Sequence, residues 1–444
     1  MIKPIAFLLI FLIVIPIWSV LAARNRKLQV AAFVLMVFFT CTMQMIHIAP
    51  LPDWRGSARG YAVTMVDISA SVMFLSIFFS KTTTKRFFPP GAWTYLIYYL
   101  FCIISVTNAL FLPQWGFEIL KMFWMYIYFV AVYNFIINHK NLWTVIYAIC
   151  GTVFFMLLFA LYQKYIEGGH YQIPSTMPHQ NSLSLYVALF GSILLGVMLN
   201  EKVSQLKMAI LGIGVLSTLL LSLFTYSRGG MLSYAMAISL VGVGSITLNG
   251  ITKQKMSFIG AGVVAGAVLV AIAAPRIIER FTRAPEASAN TRVFLAIAAK
   301  RMANDYRFGV GANNFSAHSG PGGKYALELY ENTNPAVAEE RPYGGIVETI
   351  YLLVAAECGW IGLGALLLWF LYYFVLSIWN TFYLRNASCF GISIGASSGL
   401  FANYSQSVIE WSLKQYGNFY QLMLVFALIA AIWARRKILK QRKA

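Results

Sequence analysis

An arginine between small residues marks the first candidate site in this chain. Arg228 lies in the stretch TYSRGG, between two long apolar runs. The glycines allow a ligand to approach the backbone closely, and a guanidinium is a planar fork that matches phosphate oxygens. The alternative is an interfacial arginine that extends its charge toward water. The pattern predicts an anion site at Arg228 and leaves this alternative open.

Arg292 and Glu348 are charged residues that could serve the same chemistry. Arg292 precedes a helical pattern that ends at a glycine turn, and a solvated helix position is its alternative role. Glu348 follows two glycines where a polar segment meets a membrane span, so its carboxylate could act as a general base. Partial burial would raise its pKa and help it accept a proton. Its alternative role is to stabilise a helix N-terminus.

The stretch PHQNS contains two further candidates, His179 and Asn181. His179 could bind a sugar hydroxyl or a phosphate, whereas Asn181 or Ser182 is expected to cap the next helix. The histidines show no metal-ligand spacing, and the five cysteines lack CxxC spacing. We therefore expect neither a metal nor a cofactor.

Three more charged residues lie in or near apolar runs. Glu118 and Lys121 have i,i+3 spacing in one predicted helix, so we expect them to neutralise each other. Asp67 is isolated, and an ion path through it is the alternative to a structural role.

The composition identifies the environment in which these residues act. Of 444 residues, 59% are hydrophobic and 11% charged, which excludes an ordinary soluble domain. The net charge of +19 would suggest nucleic acid in a soluble protein, but basic loops and a basic tail orient membrane proteins. We therefore expect contact with membrane lipid and none with nucleic acid.

Apolar runs of about 20 residues are long enough to cross a bilayer as helices. Such runs predict an all-α polytopic integral membrane protein with about 12 to 13 transmembrane helices. The predicted spans are 4–22, 29–50, 61–80, 91–111, 115–137, 141–162, 182–200, 208–225, 231–249, 256–274, 359–380, 387–404 and 417–434, with 345–358 as a lead-in.

The connections between spans alternate in charge. One set carries 18 Lys and Arg and the other set six, which places the first set in the cytoplasm. Four segments result. Residues 1–274 form transmembrane helices 1 to 10, residues 275–344 a large outer loop that caps a cavity, residues 345–434 the C-terminal helices, and residues 435–444 a basic cytoplasmic tail.

The order of these motifs resembles the O-antigen ligase and polymerase superfamily of bacterial envelope glycosyltransferases. The resemblance covers roughly residues 175–430. It rests on the His179 loop, the Arg228 turn, Arg292 with the glycine turn 309–311, and the stretch 351–362.

The resemblance implies a GT-C-like fold in the bacterial inner membrane, with a large periplasmic loop. Such enzymes transfer a glycan from an undecaprenyl-diphosphate carrier to an acceptor hydroxyl at the periplasmic face. Arg228 and Arg292 would bind the donor diphosphate without a metal, Glu348 would be the base, and the transfer would invert the anomeric centre. These three residues should share one chamber. Arg341, Arg276, His179 and Asn181 are candidates for a second diphosphate or for sugar, and Arg280 and Arg283 for the second diphosphate.

One departure from the family pattern guides the choice among functions. Ligases of this superfamily have a histidine where this chain has Glu348, so polymerisation of O-antigen or another surface polysaccharide is the first expectation. The acceptor would then be carrier-linked, and a chain-length regulator is a possible partner. The alternatives are a ligase that attaches glycan to lipid A-core and, in another class, a flippase or transporter.

Overall fold

The structure, a computed structural model, is built almost entirely of helices. It describes residues 5, 8–42, 45–48, 50–81, 83–168, 172–282, 286–320, 323–325 and 343–441. The chain is 77% helical, and the described residues contain a single two-stranded sheet. The architecture is therefore all-α, as the apolar runs predicted.

The helices follow the predicted spans closely. The first half of the chain forms α1 (Ile15–Arg24), α2 (Arg26–Phe38), α3 (Met65–Phe79), α4 (Ala92–Ile104), α5 (Leu112–His139), α6 (Trp143–Tyr162) and α7 (Gln180–Asn200). The second half forms α8 (Gln205–Phe224), α9 (Arg228–Asn249), α10 (Lys253–Thr282), α11 (Glu286–Asp305), the short α12 (Phe315–His318), α13 (Ile350–Tyr383), α14 (Phe390–Gln406) and α15 (Tyr416–Gln441).

Six helices of the described chain are long and apolar enough to cross a membrane. They are α5, α6 with its π-helical extension to Glu167, α7, α8, α9 and α13. The protein is accordingly a multi-pass membrane protein. The larger number of 12 to 13 crossings remains a prediction, because α3 and other apolar helices are shorter than 18 residues.

Two predicted spans are wrong at their ends. The span 29–50 ends early, because Met45–Ile48 forms strand β1, and the span 61–80 begins with strand β2, Tyr61–Thr64. The strands pair antiparallel, with Met45 opposite Thr64. Hydropathy alone did not separate a short apolar strand from a helix end, and the prolines and glycines between the strands favour a hairpin loop.

The boundary predicted at residue 275 falls inside a helix. Helix α10 continues to Thr282, and α11 occupies 286–305, so much of the predicted outer loop is helical. Helix α11 packs through Leu295, Ala299 and Met302 into a small core that also contains Leu353 of α13. The periplasmic side of this segment remains a prediction.

Close backbone contact joins α7 to α14 at the centre of the bundle. A Cβ added to Gly196 would lie 2.2 Å from the carbonyl oxygen of Gly391, and a Cβ at Gly391 would meet Gly196 at 2.4 Å. Small residues allow helices to pack this closely in lipid, where dispersion contacts drive association. The described residues of α7 are almost all buried, so α7 is the central helix of this packing.

Helix α13 is broken at Gly359, which has φ +75°. The break leaves two carbonyl groups available as acceptors, and the segment after α11 supplies their donors. The N–H of Val310 donates to Ala356 O at 2.9 Å, and the N–H of Gly311 donates to Glu357 O at 3.0 Å. The predicted boundary between the lead-in 345–358 and the next span 359–380 lies at this position. The glycine turn 309–311 therefore fastens the segment after α11 to the membrane helix that follows Glu348.

The N-terminal ends of five helices meet at one end of the bundle. Asn418 of α15 donates to Ser182 O of α7 at 2.9 Å, and Tyr420 of α15 donates to Asp67 of α3. The starts of α5 and α13 join them through the residues described below. Each helix N-terminus carries a partial positive charge of roughly half an elementary unit, so this end favours anions.

Candidate active site

Two adjoining cavities open where these helix ends meet. The first, the Glu410 cavity, has a volume of about 520 Å³, and the second, the Trp54 cavity, about 540 Å³. Both are lined by Gly56, Arg59, Glu348 and Trp411. Glu348 thus stands on the wall that the cavities share, where one carboxylate can contact ligands from two sides.

Glu348, on this shared wall, forms an ion pair with Arg292. The Arg292 Nη2 atom lies 2.5 Å from Glu348 Oε2, and both side chains are partly exposed, at 46% and 38%. Burial raises the pKa of Glu348, whereas the guanidinium of Arg292 opposes that rise. The structure therefore brings together two of the three residues that the sequence analysis assigned to one chamber.

Glu410 is a second carboxyl group in the same cavity, and the sequence analysis gave it no role. It is 7% exposed and accepts a hydrogen bond from Asn181 Nδ2. Burial, followed by the nearby charge of Glu348, raises the pKa of Glu410 to about 8, while Arg292 and the hydrogen bonds limit the rise. Glu410 is therefore mainly protonated at pH 7, next to a carboxylate that is paired with arginine.

His179 caps α7 and lines the Glu410 cavity. Its Nδ1 atom accepts the N–H of Asn181 at 3.3 Å, so the capping role predicted for Asn181 or Ser182 is wrong. Asn181 instead directs its side chain to Glu410, which lies far along the sequence. Burial, followed by Arg292, lowers the pKa of His179, so the imidazole is neutral at pH 7 with its proton on Nε2.

Arg228 is the first residue of α9, whose first turn contacts the start of α7. Ser227 caps this helix by accepting the N–H of Gly230 at 3.2 Å. A Cβ at Gly230 would lie 2.3 Å from Ser184 Cβ, so the glycine allows α9 to contact α7 one turn beyond Asn181. Arg228 does not line either of the two cavities described here. Arg292 does not line them either but is paired with Glu348, so a chamber common to all three residues stays a prediction.

The remaining predicted arginines lie partly or wholly outside the described residues. Arg341 and Arg283 are not described, and for Arg276 and Arg280 only the helical backbone of α10 is described. Their assignment to a second diphosphate stays a prediction.

Four buried charges lie beneath the Glu410 cavity. Lys121 pairs with Glu118 at 2.6 Å, as the i,i+3 spacing predicted. Lys414 pairs with Glu357 and lies 3.7 Å from Glu118, which links the pairs into one network with side chains at most 4% exposed. Ser57 of the cavity wall donates to Glu118 at 2.6 Å. Two cations balance two anions, so the network joins α5, α13 and the 412–414 turn without net charge.

Asp67 has a local structural role. Its carboxylate and the Thr64 side chain form a reciprocal capping box at the start of α3. The hydrogen bond from Tyr420 adds a link to α15. These contacts account for an acid at this position.

The sequence analysis also missed Arg55 and Arg59 of the hairpin loop. They lie in the stretch RGSARG and line the Trp54 cavity. The criterion applied to Arg228, an arginine between small residues, selects Arg59, which lies between Ala58 and Gly60, but not Arg55, which follows Trp54. Among the described residues, no group of three or more His, Cys, Asp or Glu side chains is placed to hold a metal ion.

The chain was compared with known protein families and with curated proteins, and neither comparison gives a match.

Proposed function

We propose that the protein is an inner-membrane glycosyltransferase that moves a glycan from an undecaprenyl-diphosphate carrier to an acceptor hydroxyl at the periplasmic face. The observation that carries the proposal is the ion pair between Arg292 and Glu348, whose carboxylate lines both cavities. A cation for the leaving group and a carboxylate for the attacking hydroxyl are the two groups that this reaction needs.

The reaction begins when the donor diphosphate binds Arg292. Because phosphate oxygens compete with the Glu348 carboxylate for the guanidinium, donor binding releases Glu348. The acceptor oxygen then attacks the anomeric carbon, and its proton passes to Glu348. The bond from that carbon to the diphosphate oxygen breaks, and the electron pair leaves on undecaprenyl diphosphate. Attack from the side opposite the leaving group inverts the anomeric centre.

Polymerisation of a surface polysaccharide is our first choice of reaction. Glu348 faces two cavities of similar volume, which suits two glycan substrates that meet at one carboxylate. Ligation to lipid A-core would use the same donor side and differ in the acceptor. Both reactions require the same base.

A flippase or transporter is less consistent with the distribution of charge. In the six long apolar helices, every Asp, Glu, Lys and Arg lies within the first or last ten residues. Moving a charged lipid through the bilayer calls for polar groups along its depth. The buried charges of the described residues lie near the two ends of the helices: Glu118, Lys121, Glu357 and Lys414 near the cavities, and Lys255 and Arg435 near the opposite end.

Transfer by purified protein tests the proposal. Carrier-linked glycan incubated with wild type should give longer chains, and Glu348→Gln should reduce the rate about 100-fold or more, as expected for loss of a general base. Asp305→Asn is the matched control, because Asp305 forms a comparable exposed ion pair with Lys324 outside both cavities. Absence of products with wild type would reject the function, and an unchanged rate in Glu348→Gln would reject the base.

A further inference from the structure

The hairpin loop, residues 50–60, is held in one conformation by the rest of the protein. The N–H of Leu51 donates to Arg59 O at 2.8 Å, and Asn313 Nδ2 donates to Ala58 O at 2.8 Å. The buried Trp54 ring packs against Tyr343, with 4.8 Å between the ring centroids. The loop therefore presents its side chains from a fixed backbone.

This loop carries more positive than negative charge into the Trp54 cavity. Arg55 and Arg59 are exposed, and no ion pair between described residues includes either of them. Asp53 and Glu348 also line this cavity, but Glu348 is already paired with Arg292, which leaves Asp53 as the other carboxylate beside the two guanidinium groups. In the Glu410 cavity, by contrast, Arg59 stands beside the two acids Glu348 and Glu410.

The position of Arg59 relates this loop to the reacting groups. Arg59 lines both cavities beside Glu348, whereas Arg55 lines the Trp54 cavity. Arg292, the cation proposed for the donor, is already paired with Glu348. A second anionic substrate that approaches Glu348 from the Trp54 cavity would therefore meet Arg55 and Arg59 as separate cations.

The location of the loop suits a lipid-anchored anion. Strand β2 leads directly into the apolar helix α3, which the sequence predicts to enter the membrane, so the loop lies at the level where that helix begins. A carrier whose tail lies in the bilayer holds its diphosphate near this level. Guanidinium groups bind phosphate oxygens through paired, charge-assisted hydrogen bonds, and two of them match two phosphates.

We propose that the Trp54 cavity is the acceptor subsite and that Arg55 and Arg59 bind the diphosphate of a second carrier-linked glycan. This inference rests on the proposed function and specifies its acceptor. Donor and acceptor are then both anchored in the membrane on opposite sides of Glu348, which is the arrangement of a polymerase.

The number of undecaprenyl diphosphate molecules that bind tests this subsite. Purified protein in lipid nanodiscs is titrated with undecaprenyl diphosphate, and the bound molecules are counted by native mass spectrometry. Wild type should bind two molecules and the double variant Arg55→Gln/Arg59→Gln one, with the second site weakened about tenfold or more. Adding Arg292→Gln should remove the remaining molecule. Lys300→Gln, which removes an exposed charge from α11 outside both cavities, should still bind two.

Competitors identify the anion. Inorganic pyrophosphate should displace the molecule held by Arg55 and Arg59, whereas glucuronic acid should not. A single molecule bound by wild type, two molecules bound by the double variant, or displacement by glucuronic acid alone would each overturn the subsite. Glycan transfer by a wild type that binds one carrier would reject the subsite and keep the function. Two-site binding without transfer would reject the function and keep the two diphosphate sites.

Discussion

The two carboxyl groups of the Glu410 cavity differ in protonation because their neighbours differ. Glu348 is partly exposed and paired with Arg292, while Glu410 is buried beside Asn181. With a pKa of about 8, Glu410 is mainly protonated at pH 7, whereas the guanidinium of Arg292 opposes the rise that burial causes in the pKa of Glu348. A neutral Glu410 also avoids repelling an incoming diphosphate. Glu348 is therefore the group that can accept a proton at neutral pH.

Replacing Glu410 by Gln should change how stability depends on pH. The folded pKa of about 8 lies above the ordinary value of 4.5, so the folded state binds more protons than the unfolded state between these values. This contribution to stability is complete below about pH 4.5 and is lost as the pH rises through 8, by up to about 1.4 kcal/mol per pH unit. Thermal unfolding between pH 6 and 8 should show the decline in wild type and a weaker decline in Glu410→Gln.

A carboxylate outside the Glu410 cavity provides the control. Asp53→Asn, an exposed position, should retain the wild-type pH dependence. An identical slope for wild type and Glu410→Gln would contradict a raised pKa at Glu410.

Sequence reasoning reached some site residues and missed others for identifiable reasons. Arg292 and Glu348 stand at changes from polar to apolar sequence, which local patterns can detect. Glu410 acquires its role from Asn181, 229 residues away, and no local pattern contains that contact. Arg59 was within reach, because the small-residue criterion used for Arg228 applies to it, whereas Arg55 follows the large side chain of Trp54.

At the scale of elements, hydrogen bonds at the break in α13 hold the segment after α11 in place. Gly359 and Gly309 both have positive φ, and their Cα atoms face the backbone of the opposite segment. The Asn313 and Asn314 side chains extend this contact to the hairpin loop and to Phe111. One helix break thus fixes the segments that surround both cavities.

A methyl group at Gly359 should destabilise the protein. Its Cβ would lie 2.1 Å from Arg307 O, and a residue other than glycine at φ +75° and ψ 172° costs about 1–3 kcal/mol. With the steric overlap, Gly359→Ala should lower the free energy of unfolding by about 2–4 kcal/mol. Thermal unfolding in detergent measures the change. Gly364→Ala, five residues further along α13 with nothing within 4 Å of its added Cβ, should have little effect.

Equal losses in the Gly359 and Gly364 variants would contradict the strain at the break.

Hydropathy located the helices of the bundle because lipid requires long apolar segments. The hairpin and the helical part of 275–344 were missed, since short strands and outer helices are set by contacts between distant segments.

At the scale of the molecule, the ion pairs of the candidate site and the basic connections lie at opposite ends of the helices. The cavities, the ion pair and the buried network lie where α5, α7 and α13 begin. The opposite helix ends carry the basic connections, and there Asn249 Nδ2 donates to Arg385 O. Such a distribution predicts a cytoplasmic basic end and a periplasmic site.

Thiol labelling of intact cells tests this orientation. All five native cysteines are buried, so the background labelling should be low. Asp53→Cys in the hairpin loop should react with a membrane-impermeant maleimide, whereas Lys202→Cys should react only after the membrane is permeabilised. Both positions are exposed, so access to solvent is matched. Preferential labelling of Lys202→Cys in intact cells would reverse the assigned topology.

The buried network also bears on biogenesis. Glu118 and Lys121 belong to one helix, so that segment enters the bilayer already electrically neutral. Glu357 finds its counter-ion Lys414 only 57 residues later in translation. The newly made chain therefore never carries more than one uncompensated carboxylate of this network into the translocon. The Glu118–Lys121 pair and the Glu357–Lys414 pair can then pack together as neutral units.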